Sequence, residues 1–196
     1  MWKKVYFSAL ERVVVMLTGM LSSVGESAER VNLVIKETSR GKIHPGIVAI
    51  TLTISPDSKR FAYVARRGKK QFVVLDGEEG EEYDLIGKGS LVFSPDSKRF
   101  AYVAVRGGKQ FVVLDGEEGK EYDGIGDLVF SPDSKRFAYG AKRGGKWFVV
   151  LDGEEGKEKE YDGFLRGSKL VFDSPRKLHA LAVRGDEIFL VTVEIQ

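Results

Sequence analysis

The chain contains no cysteine. Neither a disulfide nor a thiolate metal site can form, and the redox compartment cannot be read from it. Only one asparagine (Asn32) and three glutamines (Gln71, Gln110, Gln196) occur in 196 residues. With 31% charged residues this is a thermophile-like composition, although copying a repeat would also copy its composition. Neither sign of charge dominates, and the formal net charge of +2 gives no global attraction to nucleic acid or membrane. The apolar run Val13–Leu17 is far too short to span a bilayer. Met1-Trp2-Lys3-Lys4 begins like a leader, but Glu11 and Arg12 interrupt the apolar stretch behind it and no small-residue cleavage site appears. The expectation is therefore no leader and a cytoplasmic location. The two histidines, His44 and His179, form no ligand-spaced cluster. His179 occupies a strand position and is expected in the core. Nucleophile-elbow, phosphate-loop, dinucleotide and calcium-loop patterns are all absent. No catalytic residue, metal or cofactor is expected.

What the chain does have is a repeat. Ser-Pro-Asp-Ser-Lys-Arg-Phe-Ala-Tyr occurs at Ser55–Tyr63, Ser94–Tyr102 and Ser131–Tyr139, at spacings of 39 and 37 residues. Each copy continues into a basic Gly-containing turn, Phe-Val-Val-Leu-Asp-Gly-Glu-Glu-Gly and Tyr-Asp. Such periodicity means one supersecondary unit stacked on copies of itself. In the central copy, Leu91–Phe93 reads as a short strand ended by Pro95 and Asp96. Arg99–Val105 and Gln110–Asp115 are strands joined by a tight Gly turn. Asp115-Gly116 is a hairpin signal, and Lys120–Tyr122 is a short last strand. Both faces of the middle strands are apolar, so each four-stranded sheet must be covered on both sides, as in sheets packed face to face around an axis.

The Phe-Ser-Pro-Asp-Ser-Lys-Arg-Phe-Ala-Tyr core resembles the WD40-like repeat of the PD40 type found in TolB-like β-propellers. In that family a Ser-Pro-Asp-Gly-Lys turn joins the innermost strand to the second; Ser58, Ser97 and Ser134 stand where the family has Gly. The resemblance covers about residues 51–190. It implies an all-β propeller without specifying a function, because the family includes binding proteins, scaffolds and enzyme accessory domains.

The flanks look like degraded copies. Lys169-Leu170-Val171-Phe172 repeats the first strand, Ala182-Val183-Arg184-Gly185 repeats Ala104-Val105-Arg106-Gly107, and Ile188–Ile195 replaces the third strand. Val5-Tyr6-Phe7-Ser8 echoes Leu91-Val92-Phe93-Ser94. The expectation is one domain over 1–196 with five four-stranded units, about 3–48, 49–88, 89–126, 127–167 and 168–196. The alternative is four blades, with a helix over 4–25 and Val31–Lys36 completing the last blade; consecutive Val13, Val14 and Val15 argue against that helix.

Antiparallel geometry sorts the turns into two rims. One carries the Ser-Lys-Arg turns and the Glu pairs (Glu78-Glu79, Glu117-Glu118, Glu154-Glu155), which are expected to pair with each other. The second carries Arg67, Arg106, Arg143 and Arg184 beside Tyr83-Asp84, Tyr122-Asp123 and Tyr161-Asp162. Arg and Tyr are favoured at interfaces, and the guanidinium fork suits carboxylate and phosphate. These ten residues are the candidate ligand-binding set. Alternatively, the Tyr residues staple neighbouring blades and the Arg residues are solvated. The expected function is a non-catalytic binding or scaffold module for a protein, peptide or small anionic ligand, with self-association through the incomplete last blade. A glycan-binding propeller comes second, although Trp147 is the only Trp in the repeated region, and a hydrolase third.

Overall fold

A computed structural model describes residues 34–39, 42–48, 51–156 and 159–195. The chain divides into two compact units, Met1–Thr38 and Ser39–Gln196. The described part of the first, residues 34–38, carries no regular structure. The expected first repeat, its alternative helix and the N-terminal closure of the last blade fall mainly outside the described residues.

The second unit carries the sheets. Its described residues form antiparallel sheets without any helix. The first blade comprises β1 (Thr53–Ile54), β2 (Phe61–Arg67), β3 (Lys70–Leu75) and β4 (Glu78–Glu79). The second comprises β5 (Leu85–Ile86), β6 (Val92–Phe93), β7 (Phe100–Arg106), β8 (Lys109–Leu114) and β9 (Glu117–Glu118). The third has β10 (Gly124–Phe130), β11 (Phe137–Arg143), β12 (Lys146–Leu151) and β13 (Glu154–Glu155). The fourth has β14 (Gly163–Phe164), β15 (Val171–Ser174), β16 (Lys177–Arg184) and β17 (Glu187–Glu194).

Turn chemistry sets each register. Gly107 and Gly108 sit at φ 57° and 79° between β7 and β8, and Asp115 and Gly116 at 53° and 90° between β8 and β9. Two-residue turns with positive φ match the twist of paired strands. Pairing therefore resumes at Glu117 immediately after the Asp-Gly turn, three residues earlier than the expected Lys120–Tyr122 strand. Tyr122 instead makes a single bridge to Gln110, exchanging N–H···O bonds of 2.8 and 2.9 Å. The inner strand also starts earlier than the repeat suggests. β5 and β6 both pair with β7, so the unit boundaries drawn at 88 and 126 cut through inner strands. Each inner strand begins directly after the Tyr-Asp of the preceding copy.

Alternation then builds the core. Tyr102, Ala104, Phe111 and Val113 join Tyr83 and Ile86 in one cluster, while Ala101 and Val112 join Tyr122, Phe130, Tyr139 and Phe148 in the next. A middle strand thus serves two cores, one on each face. The fourth blade ends differently. Thr192-Val193-Glu194 stands where Leu114-Asp115-Gly116 turns, so β17 runs on beside β16 to Lys177↔Glu194. Among the described residues its outer edge pairs with no strand. His179 lies on β16 as expected, but not in the core: its side chain is 35% exposed and its Nδ1 sits 2.9 Å from Asp173 Oδ2.

Candidate functional site: the arginine–tyrosine rim

The two-residue strand period brings Arg106, Phe111, Val113 and Glu118 to one face of the second blade, because Ala104 pairs with Phe111 and Val113 with Glu118. Arg106 closes β7, and its guanidinium lies over the Phe111 ring at 5.1 Å from the centroid and over Tyr83 at 5.3 Å. From there it reaches both oxygens of Glu118, at 2.6 and 2.9 Å. A planar fork on a carboxylate, stacked on aromatic rings, is the arrangement for which Arg exceeds Lys.

Tyr83 comes from the preceding blade. Its ring packs edge-on against Tyr102 and Phe111, and its hydroxyl donates to Glu118 Oε1 at 3.0 Å. Arg143 repeats the pattern with Glu155 at 2.9 and 3.1 Å, and Tyr122 donates to Glu155 Oε1 at 3.0 Å. Arg67 takes Glu79 and Glu82, each at 2.7 Å. Burial is the main cause raising the Tyr83 and Tyr122 hydroxyls far above the ordinary phenol range. Glu118 is held low, chiefly by Arg106.

The Tyr-Asp aspartates complete the rim. Asp84 bonds Lys70 Nζ at 2.7 Å and accepts from Gly107 N–H at 2.8 Å. Asp123 does the same with Lys109 and Gly144, and Asp162 with Lys146 and Gly185. All three carboxyls lie below the ordinary value, first because of their lysines. The ten expected residues are therefore brought onto one rim, with Arg67, Arg106 and Arg143 engaged internally. Arg184 differs. It lies over Phe189 at 4.4 Å and Tyr161 at 5.8 Å, but among the described residues no carboxylate forms an ion pair with it. Straightening of β17 removes the strand that carries the equivalent of Glu118.

The Glu pairs need a correction. They do not pair with the Ser-Lys-Arg turns, since the second Glu of each points along the strand face to the rim arginine. The signal was present in the register: five residues beyond the last Val, the chain has turned back onto the same face. The Ser-Lys-Arg arginines are held instead by the hairpin aspartates, Arg60 by Asp76, Arg99 by Asp115 and Arg136 by Asp152. On that rim Ser94 donates to Asp96 at 2.6 Å and accepts from Arg99 N–H at 2.9 Å. The Ser that replaces the family Gly links blades as well, since Ser97 and Ser134 accept from Asp57 and Asp96 N–H of the preceding blade, at 3.1 and 3.0 Å.

Sequential four-stranded antiparallel sheets, linked blade to blade through the Ser-Pro-Asp-Ser-Lys turns, decide the architecture. It is a β-propeller. The propeller is similar in structure to TolB from Acinetobacter baumannii, at 19% identity and a TM-score of 0.45, covering 74% of this chain and 41% of that one. It is similar to the β-propeller domain of the Trilobed protease from Pyrococcus furiosus, at 13% identity and 0.44, covering 74% and 58%. It is also similar to prolyl oligopeptidase B from Galerina marginata, at 12% identity and 0.49, covering 76% and 27%. The chain thus spans less than two thirds of each of these solved chains. No family model and no curated protein matches the propeller in sequence.

Proposed function

We propose that this chain is a non-catalytic binding module whose last described blade takes an extended acidic protein segment along β17. The observation that supports it is Arg184, stacked on Phe189 and Tyr161 without the carboxylate that Arg67, Arg106 and Arg143 each hold. The chain supplies its own template for the occupant. In the second blade the outward edge of β8 is satisfied by Tyr122 on Gln110 and by Gly119 N–H on Val112. Ile188 and Leu190 hold the corresponding places on β17 and are 62% and 66% exposed. An added strand bonds this edge through its backbone, and a Glu on it meets Arg184.

The test is titration of the full chain with a labelled peptide copying Asp152–Asp162. Saturable binding that weakens on Arg184→Ala and on Leu190→Pro supports the reading. Binding indifferent to both substitutions, or none at all, overturns it. A second copy of the chain on the same edge would register instead as concentration-dependent dimerisation that Leu190→Pro abolishes.

A further inference from the structure

The repeats are nearly identical, so a place where several neighbouring positions depart together carries more information than any repeated one. That place is the groove between the third and fourth blades. Gln71 Oε1 accepts from Ile86 N–H, and Gln110 Oε1 from Ile125 N–H, each at 2.9 Å. The third copy has Trp147 instead. Indole offers no acceptor. Asp162 and Leu165 N–H bond β16 carbonyls, so strand alternation turns Phe164 N–H away from β16, toward the groove, without the acceptor its equivalents have.

The surroundings have changed to suit. Gly124 stands where the second copy has Leu85, and it and Gly126 lie against the indole: a Cβ on either would be in van der Waals contact with it, at 3.6 and 3.5 Å. Gly140 replaces Val103 and Val64, and a Cβ there would lie 2.6 Å from the Phe164 ring. Trp147 and Phe164 meet edge to face at 6.0 Å. The loop after Phe164 gains Lys169, one residue more than Ser90-Leu91-Val92-Phe93, while the facing segment at Gly126-Asp127 is two residues shorter than Gly87-Lys88-Gly89-Ser90. A cavity of about 290 Å³ results, lined by Trp147, Phe164, Asp127, Arg166 and Lys169 among others. Unlike Arg67, Arg106 and Arg143, Arg166 and Lys169 have no ion-pair partner among the described residues, and Asp127 has none either.

We infer that this groove is a binding site for a small hydroxylated ring bearing one carboxylate, of the hexuronate class. The volume lies at the small end of ligand pockets, enough for one ring rather than a chain. The indole supplies an apolar platform for the ring's C–H face. Arg166 and Lys169 take the carboxylate through charge-assisted bonds. Asp127 accepts from ring hydroxyls, and Phe164 N–H donates to a ring oxygen. This reading does not depend on β17 or Arg184.

The experiment uses the full chain with Trp2→Phe, so that Trp147 alone reports by fluorescence. Glucuronate should give a saturable change, glucose a much weaker one, and benzoate none. Arg166→Ala together with Lys169→Ala should weaken glucuronate by at least about tenfold, the loss of a hydrogen bond to a charged group. Trp147→Gln restores the acceptor for Phe164 N–H. That variant should keep its fold by circular dichroism and lose glucuronate binding by calorimetry. The inference is overturned if glucuronate gives no saturable change, if the double variant binds like the parent, or if benzoate or glucose binds as tightly.

Discussion

Tyr83 of one blade and Glu118 of the next are joined by a 3.0 Å hydrogen bond, and the same carboxylate is gripped by Arg106 on its other side. The tyrosine hydroxyl thereby ties its own blade to the outer strand of the next, which Arg106 holds to that blade's second strand. The arrangement recurs at Tyr122, Glu155 and Arg143, so it links successive blades on this rim as the turn serines do on the other.

Removing that link should cost stability without loss of the fold. Tyr122 is 1% exposed, and its hydroxyl donates to a charged acceptor, so Tyr122→Phe should destabilise by about 1–3 kcal/mol. Urea unfolding should show a lower midpoint at unchanged slope. An unchanged midpoint would mean that ring packing alone holds the blades together.

The turn serines should respond unequally to the family's glycine. Ser58 and Ser134 both sit in the left-handed region, at φ 59° and 63°, where a side chain costs about 1–2 kcal/mol. Ser134 Oγ also accepts from Asp96 N–H, whereas Ser58 Oγ makes no such bond among the described residues. Ser58→Gly should therefore raise the thermal midpoint, and Ser134→Gly should gain less or lose. Equal shifts would count against the inter-blade role of the hydroxyl.

Repairing the repeat at Gly140 should fail unless Phe164 is repaired with it. A Cβ at Gly140 falls 2.6 Å from the Phe164 ring, so Gly140→Val should cost about 1–3 kcal/mol by overpacking. Adding Phe164→Ile, the residue type of the second and third blades at this position, should recover most of it. The double-mutant cycle measures the coupling directly.

Acid and alkali should act through different groups. Asp84, Asp123 and Asp162 have folded pKa values below the ordinary 3.8. Their contribution is fully present above that value and is lost as pH falls through the lowered ones, with Glu118 obeying the same sign. Stability should be flat from neutral pH down to about 4–5 and fall below, more steeply at low salt than at high. Tyr83 and Tyr122 are raised by burial above the ordinary 10.0. Their contribution is present below that value and is lost as pH rises through the higher one. Their tyrosinate absorbance should therefore appear together with unfolding; titration at pH 10 with the fold intact would contradict their burial.

Much of this was legible in the sequence, because the information is local. The Asp-Gly and Gly-Gly turns impose positive φ, the period of two sorts each strand into faces, and the thrice-copied segment guarantees that one blade's solution is the next one's. The two rims, the membership of Arg106, Tyr122 and Asp123 in one of them, and the lack of an Asp-Gly turn at Val193-Glu194 are all set by spacing. Tertiary structure decided who pairs with whom. That Glu118 faces Arg106 rather than the Ser-Lys-Arg turn depends on the hairpin resuming at Glu117. That Ser97 answers Asp57 depends on the stacking of two sheets. That Trp147 opens a groove depends on Gly124, Gly126, Gly140 and Phe164 meeting around it. Such contacts lie between strands far apart in the chain, where side-chain volume and hydrogen-bond partners are set by packing and no local pattern encodes them.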